Sequence, residues 1–306
     1  MIEKLLIPQI SGRFSLEPAY REGHVRIVNP LPGTAILGLH IPDMKKTAKE
    51  LALSSDCPAL LDGFEQAAAG SLYYEEKIVW GLMLDYVKMP LDERLGRFSA
   101  FVPQIDNWAV CDTVCGAAKW ADVLSVAAEA RRAGCTADAY RAKIRREIWS
   151  FLLKWWRSDR EFEVRFAVIM AMSHFLDEEW MQEVFRQLDT LDFGNIVSEY
   201  RFERKSVRKN AGDAVSRKQR SGEDSGCCMV PAGYGWALSG DKAGTVLGPE
   251  PYYVRMGVAW LLATSLAKYP EQTRAYVRGC RLPEDVLKLY ARKARESFRT
   301  RTVSPF

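Results

Sequence analysis

From residue 43 onward, apolar residues recur three and four apart along most of the chain. That spacing predicts helices over 43–53, 58–69, 73–87, 91–102, 108–130, 136–157, 161–176, 178–190, 252–269, 271–278 and 284–298. Each segment is rich in Ala, Leu, Glu, Lys, Arg or Met, residues that lose little on entering a helix. Pro42 stands just inside the first of them, where its missing N–H costs nothing. The breaks are short, as at Lys88-Met89-Pro90, Arg157–Arg160 and Tyr269-Pro270, and short breaks imply antiparallel neighbours. No apolar–polar alternation of a strand is sustained. Two stretches escape the pattern. Residues 1–40 read as irregular, cut by Pro8, Pro18, Pro30 and Pro32. Residues 199–250 are polar and then Gly-rich, without periodicity.

The helices also resemble one another. An aromatic residue, two further positions, a cation and then apolar residues begin at Tyr74 (YEEKIV), Phe162 (FEVRFAV) and Tyr252 (YYVRMGV). The intervals are 88 and 90 positions, about two units of ~40–47 residues, the size of a HEAT-type helical pair. Chance likeness among amphipathic helices is the plain alternative. Stacked pairs would form a curved solenoid with a concave binding face. The expected organisation is an irregular lead over 1–40 and helical repeats over 41–198. A disordered basic and Gly-rich insertion follows over 199–250, then further repeats over 251–299 and a tail over 300–306.

Composition narrows the field only a little. The chain has 306 residues, 48% apolar and 27% charged, with 43 Lys/Arg against 39 Asp/Glu. A net charge of +4 permits a nucleic-acid partner without naming one. The distribution says more. Residues 201–220 hold eight Lys/Arg and two acids, and cations recur at Arg131, Arg132, Arg141, Lys143, Arg145, Arg146, Lys154, Arg157 and Arg160. A second group spans Lys288, Arg292, Lys293, Arg295, Arg299 and Arg301. These cations can line one side of a superhelix against phosphates, or be ordinary solvated faces. The seven cysteines are scattered, and the opening MIEKLLIPQI carries charges inside its apolar run, unlike a secretory leader. The expectation is an intracellular, reduced protein without a membrane span. His24, His40 and His174 share no ligand spacing, so neither a metal nor a cofactor is expected.

Chemistry is densest in IDNWAVCDTVC, residues 105–115. Asp106 or Asn107 can cap the helix that follows. Trp108 and Asp112 lie four apart and share a face, while Cys111 and Cys115 share a neighbouring face and read as core. Asp112, set between Val110 and Val114, needs a cation, hydrogen bonds or a role. Arg165 opens an apolar run in FEVRFAVIMAM and must pair or face a groove, so its partner is Asp112 or a phosphate. Arg255 has the equivalent place in YYVRMGVAW, ahead of Trp260. Both arginines can equally be read as buried locks between repeats. Glu75, Glu76 and Lys77 read as repeat packing and capping.

Taken in order, several stretches carry a family pattern. They are IPDMKKTAKELA (41–52), YYEEKIVWGLMLDYVK (73–88), FVPQIDNWAVCDTVC (101–115), EFEVRFAVIMAMSHFLDEE (161–179), YYVRMGVAWLLATSLAKYPEQT (252–273) and RKARES (292–297). The chain resembles the AlkD-like DNA alkylation repair enzymes, DNA glycosylases built of HEAT-like repeats. The resemblance implies an all-α fold, a right-handed superhelix of helical repeats. It implies hydrolytic release of N3- or N7-alkylated purines from duplex DNA, without metal or cofactor and without a base-binding pocket. The family's catalytic aspartate falls on Asp112 and its partner tryptophan on Trp108. The cleft arginine falls on Arg165 and the second cleft tryptophan on Trp260. Alkylated double-stranded DNA is the implied partner. The protein is expected to be a monomer with no obligate protein partner and no membrane association, in the cytoplasm with the DNA. Residues 199–250 lie outside the family pattern. The alternative is a non-catalytic HEAT-like scaffold that binds DNA or protein.

Overall fold

A computed structural model of the chain describes residues 2–6, 17–68, 70–123, 126–203, 227–229, 236–238 and 244–306. The helices in chain order begin with α1 (Glu3–Leu6), α2 (Pro18–Val28), α3 (Ile41–Ala52), α4 (Cys57–Glu65) and α5 (Tyr74–Tyr86). They continue with α6 (Leu91–Phe101), α7 (Trp108–Ala117), α8 (Ala127–Arg132), α9 (Ala137–Trp156), α10 (Glu161–His174) and α11 (Met181–Leu188). The last three are α12 (Tyr252–Lys268), α13 (Pro270–Gly279) and α14 (Glu284–Glu296). The architecture is all-α, as expected of a HEAT-like helical repeat fold.

One row of helices positions everything that matters here. α3 packs on α5, α5 on α7, α7 on α10, α10 on α12, and α12 on α14. Helices α6, α9 and α13 each pack against a neighbour in that row. Within the row α5, α10 and α12 are buried on most sides, and they are apolar around most of their circumference. Gly81 sets the closest approach, because a Cβ there would overlap the side chains of Val114 and Phe101. The core beside it is aromatic: Trp80 stacks on Phe64 at 5.7 Å and meets Phe101 edge-on at 5.1 Å.

Three expectations need correction. The segment 1–40 contains a helix, α2, with Pro18 in its first turn and Asn29 closing it in the left-handed conformation (φ 47°). The predicted helix 108–130 stops at Ala117. A 3₁₀ turn over Lys119–Asp122 and a left-handed Val123 (φ 51°) redirect the chain. That turn delivers Asp122 to His174, whose Nδ1 lies 2.6 Å from Oδ1, with Nε2 2.8 Å from the Cys115 carbonyl. Apolar periodicity continued through the break because Ala121 and Val123 are themselves buried.

The third correction concerns 199–250, read as a disordered insertion. Its ends are ordered. Strands β2 (Arg201–Glu203) and β5 (Thr245–Leu247) pair in parallel, Phe202 opposite Val246. Strand β1 (Ala35–Ile36) pairs antiparallel with β4 (Trp236–Leu238), which pairs antiparallel with β3 (Cys227–Met229). Strands of two or three residues with distant partners leave no local alternation to read. Most of the basic run 201–220 lies outside the described residues. The expected tail, 300–306, packs back on α14: Tyr290 Oη donates to the Pro305 carbonyl at 2.8 Å.

Several cations expected on a DNA-facing surface are used within the fold. Arg145 is buried, pairs with Asp177 at 2.6 Å and lies over the Phe175 ring. Arg141 pairs with Asp138 at 2.9 Å, and Arg160 with Glu163 at 3.1 Å.

Candidate active site

Asn107 starts the site. Its Oδ1 accepts from Ala109 N at 2.8 Å, capping α7, and its Nδ2 donates to the Val28 carbonyl at 2.8 Å. Asp106, the other capping candidate, instead pairs with Lys77 at 2.5 Å. Trp108 then donates its indole Nε1–H to the same Val28 carbonyl at 3.0 Å, which fixes the ring plane. One turn further on, Asp112 lies on the same face.

Asp112 meets Arg165 of α10 in a fork. Arg165 Nε donates to Oδ1 at 3.0 Å and Nη2 to Oδ2 at 2.8 Å. Arg165 Nη1 donates to the Tyr253 carbonyl on α12. Arg165 is 4% exposed. Burial works against its charge, but the field and hydrogen bonds of Asp112 more than offset this and hold its pKa above the ordinary value. A Cβ at Gly257 would stand 3.4 Å from Nη1, in contact with the guanidinium but not overlapping it. The carboxylate, with two oxygens and about four lone pairs, keeps two lone pairs free of the fork.

The four expected residues line one pocket of about 290 Å³: Trp108, Asp112, Arg165 and Trp260. Trp260 is 41% exposed, so its indole is open to the pocket. Tyr252, Tyr253, Met256 and Lys293 complete the walls. Tyr252, Met256 and Trp260 are four apart in sequence, so one helix face carries all three. Counting back from Trp260 would have found the first two. Lys293 belonged to the late basic group.

Glu161 was missed altogether. It is 2% exposed, accepts from Tyr253 N at 2.6 Å and from Ser198 Oγ, and so holds the backbone that Arg165 grips. Burial raises its pKa above the usual carboxylate range, against these hydrogen bonds. Residues 28–29 tie in from the far end of the chain. Asn29 donates to Tyr253 Oη at 3.0 Å and to the Thr245 carbonyl at 3.2 Å, and accepts at its own carbonyl from Tyr200 Oη at 2.8 Å. Cys111 and Cys115 lie behind this wall as core, their sulfurs 4.0 Å apart. Burial pushes the Cys115 thiol well above its ordinary pKa.

A family model described as "DNA alkylation repair enzyme" matches residues 23–191, more than half of the chain. The chain therefore belongs to the DNA alkylation repair enzyme family. The matched stretch includes Trp108, Asp112 and Arg165, while Trp260 lies beyond it. No curated protein and no solved structure matches the chain. Among the described residues, no helix is long and apolar enough to cross a membrane.

Proposed function

We propose that this repair enzyme is a DNA glycosylase that hydrolyses the bond between deoxyribose and an N3- or N7-alkylated purine in duplex DNA. The observation that carries the reading is the Asp112 carboxylate, gripped from behind by Arg165 in a pocket flanked by two indoles. Alkylation puts positive charge on the purine, which then leaves with the bonding electron pair and needs little acid help. Positive charge develops on the sugar instead. Asp112, with lone pairs turned from the guanidinium, stabilises that charge and orients water toward C1′. As water adds to C1′, its proton passes to the carboxylate or to solvent. Trp108 and Trp260 offer aromatic faces to the cationic centre. Arg165 positions the carboxylate, and Lys293 at the pocket edge suits a backbone phosphate. No step calls for a metal or a cofactor, the substrate is duplex DNA, and the protein works as a cytoplasmic monomer.

The test is single-turnover release of 7-methylguanine and 3-methyladenine from alkylated duplex, with EDTA present. Asp112→Asn keeps the shape and removes the charge. Release should fall about 10²–10³-fold, the usual cost of losing one preorganised electrostatic partner. Binding to undamaged duplex should change far less, because phosphate contacts dominate it. Equal rates for the two proteins would remove Asp112 from the chemistry. No release by folded wild type would leave a DNA- or protein-binding scaffold.

A further inference from the structure

Helix α12 starts without a cap of its own. The residue before it is Pro251, whose ring holds no acceptor, so the N–H groups of the first turn need a partner from elsewhere. Glu161 provides it from the start of α10. Its Oε1 accepts from Tyr253 N at 2.6 Å, and Val254 N donates to the same carboxyl. Tyr253 and Val254 are the second and third residues of α12, where a side-chain cap acts, and a negative charge there meets the positive end of the helix. The other side of Tyr253 serves the pocket. Its carbonyl accepts from Arg165 Nη1, and its helix carries Tyr252, Met256 and Trp260. Glu161 and Arg165 are also four apart on α10. Against burial, the charges of Asp112 and Glu161 together hold the guanidinium pKa above its ordinary value.

We propose that Glu161 is a positioning residue of the site: ionised, it fixes the first turn of α12 and, through the Tyr253 peptide, sets Arg165 and its fork on Asp112. Its effect on base release rests on the glycosylase reading. Packing alone does not call for a charge here. A glutamine would fill the same space, accept from Tyr253 N and donate to Ser198 Oγ. Burial lifts the Glu161 carboxyl above the usual carboxylate range, against the hydrogen bonds of Ser198, Tyr253 and Val254 and the field of Arg165. The folded protein therefore binds a proton here more readily than the unfolded chain does, and the ionised form costs stability near neutral pH. What the charge supplies is local. A charged acceptor holds an N–H harder than a neutral one.

Other ionisable groups face Glu161 from each neighbouring element. Arg165 lies on its own helix, Tyr253 on α12 and Tyr200 in the stretch leading to β2. Asp106, Arg160, Glu163 and Glu199 share a small cavity of about 80 Å³ with it, and Glu250 accepts from Ser198 N at 3.4 Å. Burial holds both phenols above their ordinary value, Tyr253 at about 12, so neither changes charge where a carboxyl does. The acids of the cavity are paired: Asp106 with Lys77, Glu163 and Glu199 with Arg160. As pH falls, Glu161 takes up its proton above the usual carboxylate range and the cap loses its charge. Base release should therefore decline toward acid pH along a limb that belongs to Glu161.

The test is single-turnover release of 7-methylguanine at saturating enzyme, from acid to neutral pH, with urea unfolding of the same proteins. Wild type should lose rate toward acid pH. Glu161→Gln should be flat over that limb and, at neutral pH, slower by about tenfold or more, the scale of a sub-ångström misplacement. Its urea midpoint at neutral pH should be no lower than that of wild type, and its affinity for undamaged duplex should be unchanged. Ser198→Ala keeps the charge and removes a hydrogen bond that favours it, so its limb should move to higher pH. A limb that persists in Glu161→Gln, a limb that Ser198→Ala leaves in place, or a rate lost only in step with stability would overturn the proposal and leave the glycosylase reading standing. Amide exchange over 252–260 reads the cap without catalysis. It should be several-fold faster in Glu161→Gln than in wild type at neutral pH, and equal in the two at the acid end. That pattern, in a wild type that releases nothing, would uphold the positioning role and sink the glycosylase reading. Equal exchange at every pH would overturn the proposal.

Discussion

Arg165 and Arg255 stand at the same place in two related helices and end in different surroundings. Each reaches a carboxylate on the neighbouring helix of the row: Asp112 on α7 for Arg165, Asp285 on α14 for Arg255. Lys77, at the matching place on α5, pairs with Asp106 in the turn that leads into α7. The position is thus a joint between helices first. What differs is the far side of the acid. Asp112, its side chain 13% exposed, opens on a pocket between indoles. Asp285 is 36% exposed on its side chain, and Arg255 is clamped over the Phe193 ring at 4.7 Å. In the proposed function, this packing device serves as the reactive centre where its acid borders a cleft and its base is buried behind it.

The largest effect should come from breaking the inner joint. Arg165→Ala strands a mostly buried carboxylate, and urea unfolding should show a loss of about 3–5 kcal/mol. Arg165→Lys should recover only part, lacking the fork. The guanidinium donates to Asp112 and Tyr253 within the protein, so the salt dependence of DNA binding should stay as in wild type. A slope shallower by about one counterion in Arg165→Ala would return Arg165 to a phosphate.

Next comes Glu75, two residues before Lys77. It is fully buried and accepts from Leu37 N at 2.9 Å and Gly38 N at 2.7 Å. Burial lifts its pKa from 4.5 to about 7, against those hydrogen bonds. Between these values the folded state holds a proton that the unfolded state has released. The group's contribution to stability is therefore complete below about 4.5 and is lost as pH rises to about 7. Relative to Glu75→Gln, the wild type should lose on the order of 3 kcal/mol across that window, read from urea midpoints. A constant difference between the two proteins from pH 4 to 8, about the span of ordinary stability work, would show that Glu75 titrates normally.

The smallest effect should come from the outer joint. Arg255→Ala breaks a pair whose acid is partly solvated, at a cost of about 1 kcal/mol, with release rates like those of wild type. A large loss of release would erase the distinction between the two arginines.

The helical row and the pairing of Arg165 with Asp112 were legible because 3.6-residue periodicity and a charge stranded in an apolar run are local signals. Trp108 and Asp112 shared a face by spacing alone. Glu161 escaped because it opens its helix beside two other charged residues and looks like a first-turn acid. Nothing near it in sequence announces the Tyr253 N–H ninety-two positions away. The short strands escaped for the same reason, since β4 finds its partner at Ala35–Ile36. The break after Ala117 was hidden by buried apolar residues that extended the helical pattern through a turn.

The contacts of Asn29 set a timetable for synthesis. Its amide bonds to residues 216 and 224 positions further along the chain. At a translation rate of ~5–20 residues per second, the end of α2 waits on the order of ten to forty seconds for those partners to emerge. Until then, Trp108 can be anchored at Val28 but has no Trp260 opposite it. A nascent chain on the ribosome therefore carries half of the proposed site, and a truncated product ending before α12 would lack the Tyr252, Tyr253, Met256 and Trp260 walls of the pocket.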